Sequence, residues 1–226
     1  GNYDAGVKNY GKMLAACDGA ITSTFQLKEE LLKYKDKVLL NRNRASSDLI
    51  EISSHFIKDY SQQDSKVKIG YFSGSISHNE NFELIKSAIQ SLLAIYKNME
   101  LHIVGHLDIP EDMKPYQQQI VVHDYVDWKD LPQLISQVDI NLAPLVDSVF
   151  NRAKSEIKWM EAALVKVPTV ASHIGAFSDM VKDGETGLLA KDGEWKEKLE
   201  SLILSSDLRQ ELAENAYDFV LENCSR

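Results

Sequence analysis

Positive charge and cysteine are scarce in this chain, and long apolar runs are absent. Its 226 residues carry 25 Lys and Arg against 34 Asp and Glu, giving a formal net charge of −9. A protein that binds nucleic acid by neutralising phosphates needs a basic face, so the composition predicts no nucleic-acid partner. No apolar stretch approaches the ~20 residues that cross a bilayer, so no transmembrane segment is predicted.

Several motifs that define other classes of enzyme are also missing. Cys17 and Cys224 lie near opposite ends of the sequence and outside any metal-ligand spacing, which favours two reduced thiols. There is no D-x-D pair for a metal-bound diphosphate, no His/Cys cluster for zinc and no G-x-S-x-G elbow. We therefore expect neither a metal nor a cofactor. No secretory leader is visible, so we expect a cytoplasmic location, with the full-length protein either free or peripheral at the inner membrane face.

The sequence after Lys66 alternates regularly between short apolar runs and amphipathic stretches. This alternation is typical of βαβ units, and it predicts an α/β fold with a Rossmann-like parallel sheet flanked by helices. The predicted strands are 67–72, 100–105, 119–123, 139–143, 167–172 and 186–190, with helices between them that include 128–137 and 154–164. The polar seam at 61–65 is the best candidate for a domain boundary, separating residues 1–60 from residues 66–226. Ser47 is expected to cap a helix in the first unit.

Ligands bind beyond the carboxyl ends of the strands in such sheets, so the loop after the first strand is a candidate site. Gly74 and Ser75 are small enough for backbone N–H groups to approach an anion, and the following helix adds its N-terminal partial charge. His78 is a candidate donor to a phosphate or a sugar hydroxyl. A plain strand-to-helix turn with a surface histidine is the alternative interpretation.

The densest group of candidate residues lies in the stretch predicted as a helix over 154–164. Lys154, Lys158 and Glu161 would stand at positions i, i+4 and i+7, which form one stripe of a helix. A cation at a helix N-terminus opposes the dipole, which suggests that an anionic ligand compensates Lys154 and is shared with Lys158. Glu161 is placed to accept both hydroxyls of a ribose. The alternative is a solvated face with a Lys–Glu pair worth ~0.2–0.5 kcal/mol.

Five segments carry a family resemblance when they are taken together and in order. They are LHIVG at 101–105, HDYV at 123–126, VDINLAP at 138–144, MEAALVKVPTVAS at 160–172 and VKDGETGLL at 181–189. With them, residues 66–192 resemble the carboxyl-terminal domain of the retaining glycosyltransferases called group 1 or family 4. The resemblance implies a GT-B fold, in which this domain binds a nucleoside diphosphate sugar as substrate and an amino-terminal domain binds the acceptor.

The resemblance also implies roles for individual residues. Glu161 matches the second glutamate of the family's E-x₇-E pattern, which holds the ribose. Tyr125 and Val126 match the loop that contacts the base, and Gly74 and Ser75 match the turn that faces the diphosphate.

The sequence departs from the family pattern at two places. Ala153 stands where the first glutamate of E-x₇-E is expected, and the basic pair often found after the first strand is missing from 73–79. We hypothesise that Lys154 and Lys158 supply the missing charge from the other side of the cleft. Glu156 is a weaker candidate to replace the lost glutamate.

The expected function is transfer of a hexosyl group from the donor to a saccharide or glycoconjugate, with retention and without a metal. Residues 1–60 would be a remnant of the amino-terminal domain, so most of the acceptor site would be missing, and we expect weak nucleotide binding and little turnover. No catalytic residue is assigned. Two alternatives stay open, namely a sugar-nucleotide epimerase of the same architecture and a degenerate, non-catalytic binding module that Ala153 would favour.

Overall fold

Two parallel sheets organise the chain in a computed structural model that describes residues 2–61, 65–74 and 79–225, with side chains from Asn9 onward. The smaller sheet pairs β1 with β2 and belongs to an amino-terminal segment that also contains three helices. The elements of this segment are α1 (Asn2–Ala16), β1 (Ala20–Thr22), α2 (Phe25–Leu32), β2 (Val38–Leu40) and α3 (Ser47–Ser54).

The larger sheet has six parallel strands in the order β5-β4-β3-β6-β7-β8. Counted within the sheet, this is the 3-2-1-4-5-6 order of the doubly wound Rossmann fold, so the predicted fold class is confirmed. Its elements are β3 (Val67–Ser73), α4 (Asn79–Ile95), β4 (Met99–Gly105), a 3₁₀ helix (Glu111–Gln119), β5 (Ile120–His123), α5 (Leu131–Ser136), β6 (Ile140–Ala143), α6 (Val149–Arg152), α7 (Ile157–Leu164), β7 (Thr169–Ser172), α8 (Gly175–Met180), β8 (Leu188–Ala190), α9 (Trp195–Leu204) and α10 (Ser206–Asn223).

The core lies on both faces of this sheet because successive side chains of a strand point to opposite sides. Ile69 and Tyr71 face a cluster that includes Phe82, Ile85 and Ile89 from α4, all of them fully or almost fully buried. The alternate positions on the same strands form the opposite core with residues from α5 and α7; this cluster includes Phe72, Val104, Ile135, Ala162 and Val165. Burial on both faces explains why β3 and β4 carry apolar residues on both of their sides.

The structure corrects several element boundaries. The helix predicted over 154–164 begins at Ile157, and the short α6 ends at Arg152, so Lys154 precedes α7 and is not helical. Ser46 caps α3 in place of Ser47, since its hydroxyl accepts from the N–H of Leu49 at 3.2 Å. Residues 128–130 precede α5, although they were included in the predicted helix, and the 3₁₀ helix was not predicted.

The chain returns to its amino-terminal segment at its far end. The N–H of Ala45 donates to the carbonyl of Cys224 at 2.7 Å, just after α10, and α10 itself packs on α7. Cys17 is exposed, Cys224 is buried, and both are free thiols. None of the helices in the described ranges combines the length and the apolar composition that crossing a bilayer requires. Residues 62–64 of the predicted boundary lie outside the described part, so the division at 61–65 stays a prediction.

A buried amide ties the central strand β6 to the elements beside it. The Nδ2 of Asn141 donates to the carbonyl of Lys158 at 3.1 Å and to the hydroxyl of Thr169 at 3.0 Å. Asn141 is 1% exposed, so water cannot replace these bonds. The amide of Asn141 therefore holds α7 against the sheet at Lys158, in the first turn of the helix.

We expect Asn141→Leu to lower the free energy of unfolding by about 1–3 kcal/mol, because leucine has a similar size but leaves the carbonyl of Lys158 without its partner. Urea denaturation would measure the loss. Asn223→Leu is the matched control: Asn223 is exposed and donates only to the carbonyl of Phe219 within its own helix, so its effect should stay within about 0.5 kcal/mol. Equal effects of the two substitutions would contradict this role for Asn141.

Candidate functional site

A cleft of about 670 Å³ opens at the carboxyl ends of β3, β4 and β5, beside the switch point between β3 and β6 where this sheet topology places ligands. It brings together six of the eight residues that the sequence predicted for the donor site. They are Gly74, Tyr125, Val126, Lys154, Lys158 and Glu161. The other two, Ser75 and His78, lie outside the described residues. Ligand contact by each of the eight residues stays a prediction.

The floor of the cleft is the end of β3. The carbonyl of Phe72 accepts a hydrogen bond from Nζ of Lys158 at 2.8 Å, and the hydroxyl of Ser73 donates to the carbonyl of His106. Gly105 ends the neighbouring strand at φ +87, and a Cβ there would lie 2.1 Å from the carbonyl oxygen of Ser73. A glycine is therefore required for the two strand ends to approach this closely.

Lys158 and Glu161 form the polar wall, one turn apart on α7. Burial and, to a smaller extent, the charge of Lys154 lower the pKa of Lys158 to about 8, although Glu161 opposes both effects. Burial raises the pKa of Glu161 to about 7, against the favourable charge of Lys158. Within the described part of the chain, the carboxylate of Glu161 makes no hydrogen bond or ion pair, so its oxygens are available as acceptors in the cleft.

Lys154 reaches the same cleft from the segment between α6 and α7. Its ammonium lies 5.0 Å from the ring centroid of Phe150, and partial burial lowers its pKa. The helical-stripe argument for Lys154 was thus wrong in its geometry, because the residue precedes the helix. It nevertheless lies on the same side of the cleft as Lys158, which places two cations near each other.

Aromatic side chains form the opposite wall, in the loop after β5. Tyr125 is 64% exposed and stacks on His106 with ring centroids 6.2 Å apart. Trp128 also lines the cleft and is 47% exposed. Large aromatic faces that are open to solvent beside a cleft can stack on a nucleobase or a sugar ring.

The amino-terminal segment closes the remaining side of the cleft through Ser23. Ala153 lines the cleft beside it with a methyl group, so the carboxylate expected from the family pattern is absent here. Glu156 does not replace it: this side chain is 2% exposed, does not line the cleft, and lies 3.5 Å from the guanidinium of Arg42. The idea that Glu156 contacts a donor sugar therefore finds no support in the geometry.

Several cleft residues were not predicted from the sequence, among them Trp128, Phe150 and Ser23. Trp128 was assigned to a helix, although a tryptophan in a loop directly after a strand is a recognisable signal for a binding wall. Phe150 lies in the short helix α6, beside polar residues that were stronger candidates. Ser23 gave no local signal, because it lies at the cleft through contacts between distant parts of the chain, such as the hydrogen bond from Thr24 to the carbonyl of Ala153.

The arrangement combines four chemical features in one cleft. Two ammonium groups can neutralise an anion such as a diphosphate, and an unpaired carboxylate can accept hydroxyl hydrogens. Exposed aromatic rings can hold a planar base, and the end of β3 offers small residues that allow close approach. Together these features are suited to a nucleoside diphosphate.

Comparison with known proteins identifies the class. The family described as glycosyl transferases group 1 matches residues 67–205, which is more than half of the chain, and the chain therefore belongs to this family. The matched range covers the six-stranded sheet and every predicted site residue.

Individual proteins are similar to this chain over part of their own length. An uncharacterised 41.2 kDa protein in the cps region of Klebsiella pneumoniae is 25% identical over 158 residues, which cover 69% of this chain and 42% of that protein. Among solved structures, a variant of TarM from S. aureus, in complex with fondaparinux, α-GlcNAc-glycerol and UDP, is similar with a TM-score of 0.73 at 14% identity; the match covers 96% of this chain and 43% of TarM. HepE from Anabaena, in complex with UDP and glucose, gives a TM-score of 0.67 at 16% identity, over 92% of this chain and 60% of HepE. The chain thus spans less than two thirds of each of these proteins.

The buried charges of the cleft predict a dependence of stability on pH. A carboxyl group whose pKa rises on folding, here from 4.5 to about 7, binds more protons in the folded state between these values. The free energy of unfolding therefore falls as pH rises through this window. We expect Glu161→Gln to raise the free energy of unfolding of the ligand-free protein by about 1–3 kcal/mol at pH 8, and by much less at pH 5.

Urea denaturation at the two pH values would measure this difference. Glu211→Gln, at an exposed position of α10, is the matched control and should change stability by the same small amount at both pH values. A loss of stability at pH 8 in Glu161→Gln would show that the carboxylate is compensated within the protein itself.

Proposed function

We propose that this chain supplies the nucleotide-sugar-binding part of a hexosyltransferase that acts on a saccharide or glycoconjugate. The observation that carries the proposal is the cleft beside the β3–β6 switch point, where Lys154, Lys158 and Glu161 face the aromatic loop containing Tyr125. Membership of the group 1 glycosyltransferases supports the reaction class. The UDP in the TarM and HepE complexes supports a uridine nucleotide as the first candidate.

The proposed binding mode assigns each part of the donor to one part of the cleft. The base stacks against Tyr125 or Trp128, and the ribose hydroxyls donate to the carboxylate of Glu161. The diphosphate lies near the two lysines and the small residues at Gly74. Because the ammonium of Lys158 is held by the carbonyl of Phe72, it would contact the diphosphate from a fixed position.

The proposed chemistry is transfer with retention and without a metal. Negative charge develops on the diphosphate as the bond to the sugar breaks, and ammonium groups placed beside it lower the energy of that state. Lys154 and Lys158 would supply this charge, which other mechanisms take from a metal ion. The acceptor would be bound by a further domain, as the family resemblance implies, and no catalytic base is assigned to this chain.

A non-catalytic binding module is a second candidate, and Ala153 is the observation that favours it. A methyl group at this cleft position cannot accept a hydrogen bond from a sugar hydroxyl. Such a module would still bind the nucleotide through Glu161 and the aromatic loop. Turnover measured on a longer protein that includes the acceptor domain separates the two candidates.

Nucleotide binding can be tested first by thermal shift with UDP, GDP, ADP, CMP and dTDP. A ligand present at 100 times its dissociation constant adds about 2.7 kcal/mol to the free energy of unfolding. We expect a shift with one nucleotide, UDP first, and none of comparable size with Glu161→Ala. No shift with any of the five at millimolar concentration would contradict the proposal.

The role of Glu161 can be isolated by removing one hydroxyl from the ligand. We expect the protein to bind UDP about 10-fold more tightly than 2′-deoxy-UDP, because a hydrogen bond to a charged carboxylate is lost. In Glu161→Ala this ratio should fall to about 1, whereas Glu211→Ala should preserve it. Calorimetry measures both constants. An unchanged ratio in Glu161→Ala would place the ribose elsewhere.

A further inference from the structure

The segment Ala153–Glu156, which carries Lys154, is fastened by side chains from far earlier in the sequence. The hydroxyl of Thr24 donates to the carbonyl of Ala153 at 3.1 Å. Nδ2 of Asn43 donates to the hydroxyl of Ser155 at 2.9 Å. Arg42 also pairs with Glu156 at 3.5 Å. Side chains of the amino-terminal segment therefore contact the segment at Ala153, Ser155 and Glu156.

These contacts matter because the segment has little structure of its own. It lies between the end of α6 at Arg152 and the start of α7 at Ile157, and its backbone meets the helices at its two ends: the N–H of Lys154 donates to the carbonyl of Asn151 at 3.1 Å, and the carbonyl of Glu156 accepts from the N–H of Met160 at 3.2 Å. A backbone without a helical ladder takes its position from the groups that pack against it. Lys154 stands between the points held by Thr24 and Asn43, so its Cα is fixed from both sides.

The residues that hold the segment are themselves well supported. Arg42 lies over the ring of Phe25, 4.8 Å from its centroid, and also pairs with Asp179 at 3.3 Å. Thr24 is fully buried, and its hydroxyl in addition caps α2 by accepting from the N–H of Leu27. The amino-terminal segment therefore presents a rigid surface to residues 153–156.

The ammonium of Lys154 contrasts with this anchored backbone. Within the described ranges it makes no hydrogen bond or ion pair, and its one recorded contact is with the ring of Phe150. We propose that Arg42 and Asn43, together with Thr24, are positioning residues that hold Lys154 in place for the diphosphate of the donor. The inference rests on the proposed function and adds that donor affinity depends on the amino-terminal segment.

Asn43→Ala is the least disruptive test, because it removes one hydrogen bond and leaves no buried charge. We expect the affinity for UDP to fall about 5-fold, because loss of the hydrogen bond to Ser155 lets the backbone beside Lys154 move and so weakens the contact of its ammonium with the diphosphate. The affinity for uridine, which has no phosphate, should be unchanged. Titration by NMR covers both ligands. An equal loss for UDP and uridine would overturn the proposal, because it would indicate general damage to the cleft.

The ion pair is tested by a double substitution, Arg42→Ala with Glu156→Gln, since removal of Arg42 alone would leave a buried carboxylate unpaired. We expect a fall in UDP affinity of about 10-fold or more, again without an effect on uridine. Arg44→Ala is the matched control: Arg44 is two residues away, and its hydrogen bonds in the described part of the chain go to the carbonyls of Asn223 and Ser225 and not to residues 153–156. A loss of UDP affinity in Arg44→Ala equal to that in the double variant would overturn the specific role of Arg42.

Hydrogen exchange separates failure of this inference from failure of the proposed function. Faster exchange at residues 153–157 in Asn43→Ala, with exchange in β7 unchanged, would support the positioning role even if no nucleotide binds to the unmodified chain. In that case the proposed function fails while the anchoring stands. Unchanged exchange at 153–157 together with unchanged UDP affinity would overturn the positioning role, even where UDP binds well.

Discussion

The hydrogen bond from the ammonium of Lys158 to the carbonyl of Phe72 is the interaction on which the cleft depends. It joins α7 to the end of β3 beside the switch point, where the strand order reverses. The same helix is also bonded to the central strand β6, since Asn141 donates to the carbonyl of Lys158. One residue is thus bonded at its backbone to the central strand and at its side chain to the floor of the cleft. Because both ends are fixed, the direction in which α7 presents Glu161 is fixed as well.

The charges of Lys158 and Glu161 contribute little to the stability of the ligand-free protein. Lys158 is buried beside one carbonyl and one carboxylate. Burial lowers the pKa of Lys158 and raises that of Glu161, and both shifts favour the neutral form of the side chain. Buried groups with such shifts destabilise the empty protein near neutral pH, and they are found preferentially where a ligand completes the charge balance. An anion near the two lysines favours their charged forms, and hydroxyl groups donated to Glu161 favour its ionised form. The cleft is therefore better suited to a bound diphosphate and ribose than to water.

The fold could be predicted from the sequence to a large extent, because it follows from local patterns. Runs such as 67–72 and 100–105 carry apolar residues on both faces, and this is typical of strands covered by helices on two sides. The group of Lys154, Lys158 and Glu161 was also visible, and the family motif at 160–172 fixed its context. The helical start assumed for Lys154 was wrong because the stretch from Ala153 to Glu156 is held by distant side chains, and no local pattern records them. The role of Arg42 could not be predicted for the same reason, because its partners Glu156 and Asp179 lie more than a hundred residues further along the sequence.

The residues around Ala153 make defined contacts, although the carboxylate of the family pattern is absent at this position. The carbonyl of Ala153 accepts from Thr24, and Glu156, the nearest acidic residue, is turned away toward Arg42. A site that merely decayed would have no reason to retain two buried, pKa-shifted groups that cost stability, nor a lysine whose backbone is fixed on both sides. The more economical interpretation is that positive charge has moved to the α6–α7 side of the cleft. On this proposal the contacts of the amino-terminal segment contribute to the site, since they hold the backbone on both sides of Lys154.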